Sequence, residues 1–165
     1  METGVNARRF GAAAIIIALL MLGLALVTGR MSHAKGVERV SVAAAVVRLA
    51  AVPGRPAAGY MTVTGGAQAD QLIGVTLSAP TRIELHESQM TNGTISMTRL
   101  AGVAIPAKGA VAFAPAGKHL MIFDLPASAK AGTSVVLTLN FAKAGPVTAS
   151  ALVQAAGEAS AHAHH

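Results

Sequence analysis

From Val40 onward the chain runs in short stretches of β-branched and aliphatic residues, broken every few positions by Gly, Pro, Asn or Asp. An amphipathic helix needs an unbroken stripe of roughly ten residues or more, and no such stripe occurs after residue 35. The expected fold class is therefore all-β, a sandwich or barrel. Strands are expected near 40–49, 59–64, 71–77, 82–86, 94–100, 110–112, 119–123, 134–141 and 147–153. Turn signals separate them at Val52-Pro53-Gly54, Thr91-Asn92-Gly93, Ile105-Pro106, Pro115-Ala116-Gly117 and Ala144-Gly145-Pro146. With aromatics at 3%, the core must come from Val, Ile, Leu, Ala and a few Phe.

Ahead of this region, residues 10–29 carry no charge and follow Arg8 and Arg9. A helix of that length covers about 30 Å, enough to cross a bilayer. An N-terminal apolar helix acting as an uncleaved anchor therefore competes with a secretory signal, for which Ser32-His33-Ala34 offers a small-residue cleavage site. Either reading exports the remainder, soluble after cleavage or tethered to the membrane by residues 10–29. The expected organisation is a signal peptide or anchor over 1–35, one β-sandwich domain over 36–154 and a flexible tail over 155–165 that holds His162, His164 and His165.

Composition removes several function classes. The net charge is +6, but from Arg39 to Lys143 the basic residues are scattered singly, without the cluster that a nucleic-acid partner requires. There is no cysteine, so disulfides, zinc–thiolate sites, thiol nucleophiles and His₂Cys blue-copper centres are excluded. The few carboxylates form no acid–base pair, and Glu84 and Glu87 beside His86 make no catalytic arrangement, so no enzyme activity is expected.

Strand alternation points to a different chemistry. In His119-Leu120-Met121-Ile122 the two aliphatic residues can face the core while His119 and Met121 point together the other way. The same alternation in Arg82-Ile83-Glu84-Leu85-His86 turns Ile83 and Leu85 inward and leaves His86 outward, at a strand end. Asn92-Gly93 is a hairpin signal that folds the strand of Met97 back toward that of His86. Imidazole and uncharged thioether donors favour Cu(I) over hard cations, and copper binding through His86, Met97, His119 and Met121 should weaken as acid protonates the imidazoles. A methionine on a strand is more often core filler, the reading assigned to Met61 and Met90. The tail histidines, His162, His164 and His165, suit Cu(II) if they bind metal at all, and a solvated tail competes equally with that reading.

The four candidate ligands are spaced His86-x10-Met97-x21-His119-x-Met121. This spacing resembles the H-x10-M-x21-H-x-M signature of the periplasmic Cu(A) chaperone family, PCu(A)C. Pro53-Gly54, Ala58-Gly59-Tyr60-Met61-Thr62, Glu84-Leu85-His86-Glu87, Gly117-Lys118-His119-Leu120-Met121 and the segment from Ala131 to Phe141 resemble family segments, so that the likeness runs from about Val46 to Val153. Val47 stands where many members have tryptophan, Gly65 lies near a usual asparagine, and Ala116 replaces the first glycine of a Pro-Gly-Gly turn. The resemblance implies a cupredoxin-like Greek-key β-sandwich without a blue-copper centre. It also implies that the compartment reached on export is the periplasm and the membrane the inner one. It further implies a copper chaperone that delivers Cu(I) by ligand exchange to a copper-accepting protein: cytochrome c oxidase, at its Cu(A) site, or a thiol-containing assembly factor. The competing reading is an exported, metal-free β-sandwich with a structural or interaction role.

Overall fold

The computed structural model describes residues 39–157. The expected leader and the tail histidines lie outside the described residues. The described part is all-β, as the turn spacing requires, with ten strands and no helix. They are β1 (Ser41–Arg48), β2 (Ala57–Thr64), β3 (Asp70–Leu77), β4 (Arg82–Thr91), β5 (Thr94–Leu100), β6 (Val103–Ile105), β7 (Ala110–Phe113), β8 (Lys118–Phe123), β9 (Ser134–Phe141) and β10 (Gly145–Gln154).

Nine strands follow one hydrogen-bonded path, β5-β4-β8-β2-β1-β10-β9-β3-β6, and β7 pairs with β2 off that path. Strand pairs are antiparallel except β1 with β10. The path curls so that β3 and β4, remote from each other along it, come into contact. One core fills the space between the facing halves, with Val47, Val63, Leu72, Ile105, Leu120, Ile122, Leu137, Leu139 and Val153 fully buried. Val47, where the resembled sequences often have tryptophan, is part of that core.

Two departures from the expected strands have physical causes. β6 is three residues long and stops before Pro106, too short to register as a run, although Val103 and Ile105 are buried. β4 continues beyond His86 through Glu-Ser-Gln-Met-Thr to residue 91, a stretch exposed toward its tip that needs no apolar alternation. The β4–β5 hairpin thus extends beyond the core and closes at Asn92 and Gly93, both with positive φ as a type I′ turn demands.

Candidate metal centre

The candidate site lies on the outer face of β5, β4, β8 and β2. β8 alternates as expected: Leu120 and Ile122 enter the core, which leaves His119 and Met121 on the opposite face. Register then decides their neighbours. His86 of β4 lies directly opposite His119, and Glu84 opposite Met121. Across the hairpin, Met97 of β5 lies opposite Ser88. Met97 is thus a diagonal neighbour of His86, a position about 7–8 Å away across an antiparallel pair and within reach of a long side chain. On the other flank Ala58 of β2 lies opposite Met121, a small residue that leaves room above the sheet.

Met97, His119 and Met121 line one cleft of about 250 Å³, together with Tyr60, Ser88 and Ala116. His86 borders this group from its place opposite His119, with ring centres 6.1 Å apart and planes inclined by 37°. With metal–imidazole bonds of about 2.0–2.1 Å, two rings sharing one ion have their centres roughly 5 to 6.5 Å apart, so the observed separation fits a shared ion. Among the described residues no three His, Cys, Asp or Glu side chains gather as a cation site. The donors that do gather are two imidazoles and two thioethers, a soft set suited to monovalent copper.

Exposure differs across the four. His119 is buried at 7%, whereas Met97 is 53% exposed on the edge strand. The expectation that His86 ends its strand and stands available is corrected. It lies in the middle of β4, and its side chain is only 14% exposed because β5 and β8 flank it. His119 likewise faces away from the core yet is buried, covered by its neighbours on the outer face. Met61 is core, as assigned, with 2% exposure. Met90 is not core filler: it is 70% exposed near the hairpin tip, on the same face as Met97 and beside Ile95, which is 65% exposed.

Hydrogen bonds orient the two rings differently. Nδ1 of His119 lies 2.9 Å from the Gly117 carbonyl, which can only accept, so Nδ1 carries the proton and Nε2 is left free. The same carbonyl accepts the Ser88 backbone N–H, tying the Pro115-Ala116-Gly117 turn to β4. Nε2 of His86 lies 2.9 Å from a Glu84 carboxylate oxygen, and its Nδ1 is buried without a hydrogen-bond partner. Sequence reasoning passed over Glu84. The signal was its place two residues before His86, where alternation puts both on one face.

Charges around the site are paired. Glu84 also accepts from Arg82 at 2.5 Å, with Arg99 3.9 Å away. The His86 ring N–H, helped by both arginines, holds the Glu84 carboxyl below the usual carboxylate range against the opposing effect of burial. Lys118 does the same for Glu87 at 2.6 Å. The guanidinium of Arg82 also lies over the Phe123 ring, 3.6 Å from its centre, so this end of the face is held by a cation–π contact.

Residues 40–153 match the family model described as "Putative lipoprotein LpqE-like". The chain belongs to the LpqE-like family. A relative from Leifsonia xyli subsp. xyli (strain CTCB07), described as "Putative lipoprotein Lxx21020", is 32% identical over 130 residues, which cover 78% of each chain. Among solved structures, the copper-bound PCuAC domain from PmoF2 is 29% identical with a TM-score of 0.59, over 72% of this chain and 95% of that one. Apo-DR1885 from Deinococcus radiodurans is 25% identical with a TM-score of 0.53, over 79% of this chain and 87% of its own. The LpqE-like chain therefore has the PCuAC fold that the spacing of its candidate ligands resembles, and a copper-bound domain is among the structures that share it.

Proposed function

We propose that this LpqE-like protein is a copper chaperone that holds one Cu(I) between His86, Met97, His119 and Met121 and passes it to an acceptor by ligand exchange. The observation that carries this reading is the in-register pairing of His86 with His119, with Met121 and Met97 on the same face and both in the cleft with His119. Thioethers cannot be protonated and bind soft ions without neutralising them, so the ion stays exchangeable.

The graded exposure supports an order of release. Met97, more than half exposed on an edge strand, leaves the ion first, and an acceptor thiolate takes its place. Met121 follows, and the two ladder-held imidazoles let go last. The Cu(A) site of cytochrome c oxidase, or a thiol-containing assembly factor serving it, is the acceptor this chemistry fits.

The binding domain spans 36–154, exported by the segment before it. Relatives described as lipoproteins agree with export. The domain is periplasmic, either tethered to the inner membrane by residues 10–29 or soluble after their cleavage. Copper(I) is the cargo, and the tail histidines are a separate Cu(II) proposal.

Anaerobic titration against a coloured Cu(I) chelator tests the site. One tight equivalent is expected, lost in the double variant His119→Leu with Met121→Leu, whose near-equal volumes preserve packing. No tight equivalent in the wild-type protein would leave a metal-free β-sandwich as the answer. Delivery is tested by mixing the copper-loaded protein with a purified Cu(A) domain and following that domain's visible absorption.

A further inference from the structure

Among the described residues, Glu84 is the carboxylate on the outer face that bonds a candidate ligand. Its side chain is only 11% exposed, sits opposite Met121 in the ladder and bonds Nε2 of His86 at 2.9 Å. An ionised carboxylate has no proton to give, so the proton in this bond belongs to Nε2. In the neutral ring the lone pair is then on Nδ1, the atom that is buried and without a hydrogen-bond partner. A buried polar atom without a partner needs an explanation, and a site for an incoming ion is one.

His119 has the opposite arrangement: its Nδ1 proton is held by Gly117 and its free nitrogen is Nε2. The two rings thus offer different nitrogens, one oriented by a side chain and the other by the backbone. Glu84 is itself held by Arg82 at 2.5 Å and, more loosely, by Arg99 at 3.9 Å. With its oxygens so engaged, and being a hard donor, it is a poor direct ligand for Cu(I).

We infer that Glu84 is a positioning residue for copper: it holds His86 as the Nε2–H tautomer, so that the ion binds Nδ1 of His86 and Nε2 of His119. This inference rests on the copper-carrier reading. Partners that orient a ligating histidine commonly change metal affinity 10- to 100-fold when removed. The carboxylate also places one negative charge beside a cation held only by neutral donors, which favours the loaded state. Without Glu84 the ring is free to take the other tautomer, which presents a protonated Nδ1 to the ion.

The test uses the full chain labelled with ¹⁵N-histidine, in long-range ¹H–¹⁵N spectra at a pH where the rings are neutral, before and after one equivalent of Cu(I). In the copper-free wild type His86 should show a protonated Nε2 and a bare Nδ1, and copper should shift Nδ1. Glu84→Leu should release the tautomer and weaken Cu(I) binding 10- to 100-fold. Glu84→Gln, whose amide oxygen accepts the same bond, should restore the tautomer and part of the affinity. A merely structural ion pair with the arginines would lower the melting temperature and leave the tautomer unchanged. The inference is overturned if copper shifts Nε2 of His86, or if Glu84→Leu leaves both tautomer and affinity as they were. Should the wild type bind no Cu(I), the carrier reading fails along with the copper half of the inference, while the copper-free spectra still decide whether Glu84 fixes the ring.

Discussion

His86 and His119 are direct cross-strand partners in the β4–β8 ladder, with ring centres 6.1 Å apart. His86 is preceded in its strand, and His119 followed, by residues that alternate into the core, so neither ring can slide without a register slip that would expose Leu85, Leu120 and Ile122. The separation of the imidazoles is therefore held by the same burial that holds the fold. The thioether of Met97 has no such constraint, because β5 is an edge strand whose side chains are almost all exposed.

That contrast sets the first prediction. Met97→Leu should leave stability within about 0.5 kcal/mol of wild type, as for most exposed positions. Cu(I) affinity should fall by roughly tenfold, equivalent to about 1.4 kcal/mol. Chelator competition gives the affinity and stopped-flow removal by the chelator gives the off-rate, which should rise. Unchanged affinity would take Met97 out of the ligand set.

Much of the fold could be read in the sequence, and the reasons are local. Leu120 and Ile122 alternate with His119 and Met121, so one strand showed both its core face and its site face. Asn92-Gly93 carried the hairpin, because few other residue pairs accept two positive φ angles. What was missed lay where neither signal operates. Residues 87–91 of β4 are polar or exposed on both faces, β6 is too short for a pattern, and the burial of His119 depends on strands distant in sequence. Glu84 was set aside as a potential catalytic carboxylate, and its bond to His86 becomes visible only when the ring orientation is known.

Ala116 tests the departure from the family's Pro-Gly-Gly turn. It adopts φ 63°, a left-handed conformation that costs a residue with a Cβ roughly 1–2 kcal/mol. Ala116→Gly removes that strain but loosens the unfolded chain by about 0.4–1 kcal/mol. A net gain of several tenths of a kcal/mol, up to about 1, is expected in chemical denaturation. Because Gly117 in the same turn holds the His119 ring, copper affinity should stay constant. A destabilised variant would mean that the alanine methyl makes a contact worth more than the strain.

Gly59 makes the converse case. It lies opposite Leu120, and a Cβ built there would come within 2.9 Å of the Leu120 side chain, which is fully buried and has nowhere to move. Gly59→Ala should destabilise the protein by about 1–3 kcal/mol through overpacking. Relief of the clash requires β8 to shift, and β8 carries both His119 and Met121, so Cu(I) affinity should fall along with the melting temperature. An affinity loss without a stability loss would contradict the overpacking account.

Acid stability should depend on Asp70, far from the candidate copper face in the strand order. Burial alone would raise its pKa, but backbone N–H groups of Gln71, Ala144 and Lys143, at 2.7, 2.8 and 2.9 Å, outweigh this and lower it, with the Lys143 charge adding to the effect. These bonds fasten the start of β3 to the β9–β10 turn. A carboxylate whose folded pKa lies below its unfolded value stabilises the protein above the unfolded value, about 3.9, and loses that contribution as pH falls through the folded one. Asp70→Asn retains one acceptor oxygen and loses the charge. It should cost about 1 kcal/mol near neutral pH, a modest figure because the site is open to solvent. As pH falls below ~3.9 the unfolded chain takes up this proton before the folded protein does, so the gap between the wild-type and variant stability curves should begin to narrow there and close as pH passes the lower folded value. Denaturant unfolding from pH 7 down to 3 reads both curves. A gap that stays constant over that range would show that the carboxylate's charge plays no part in holding the turn.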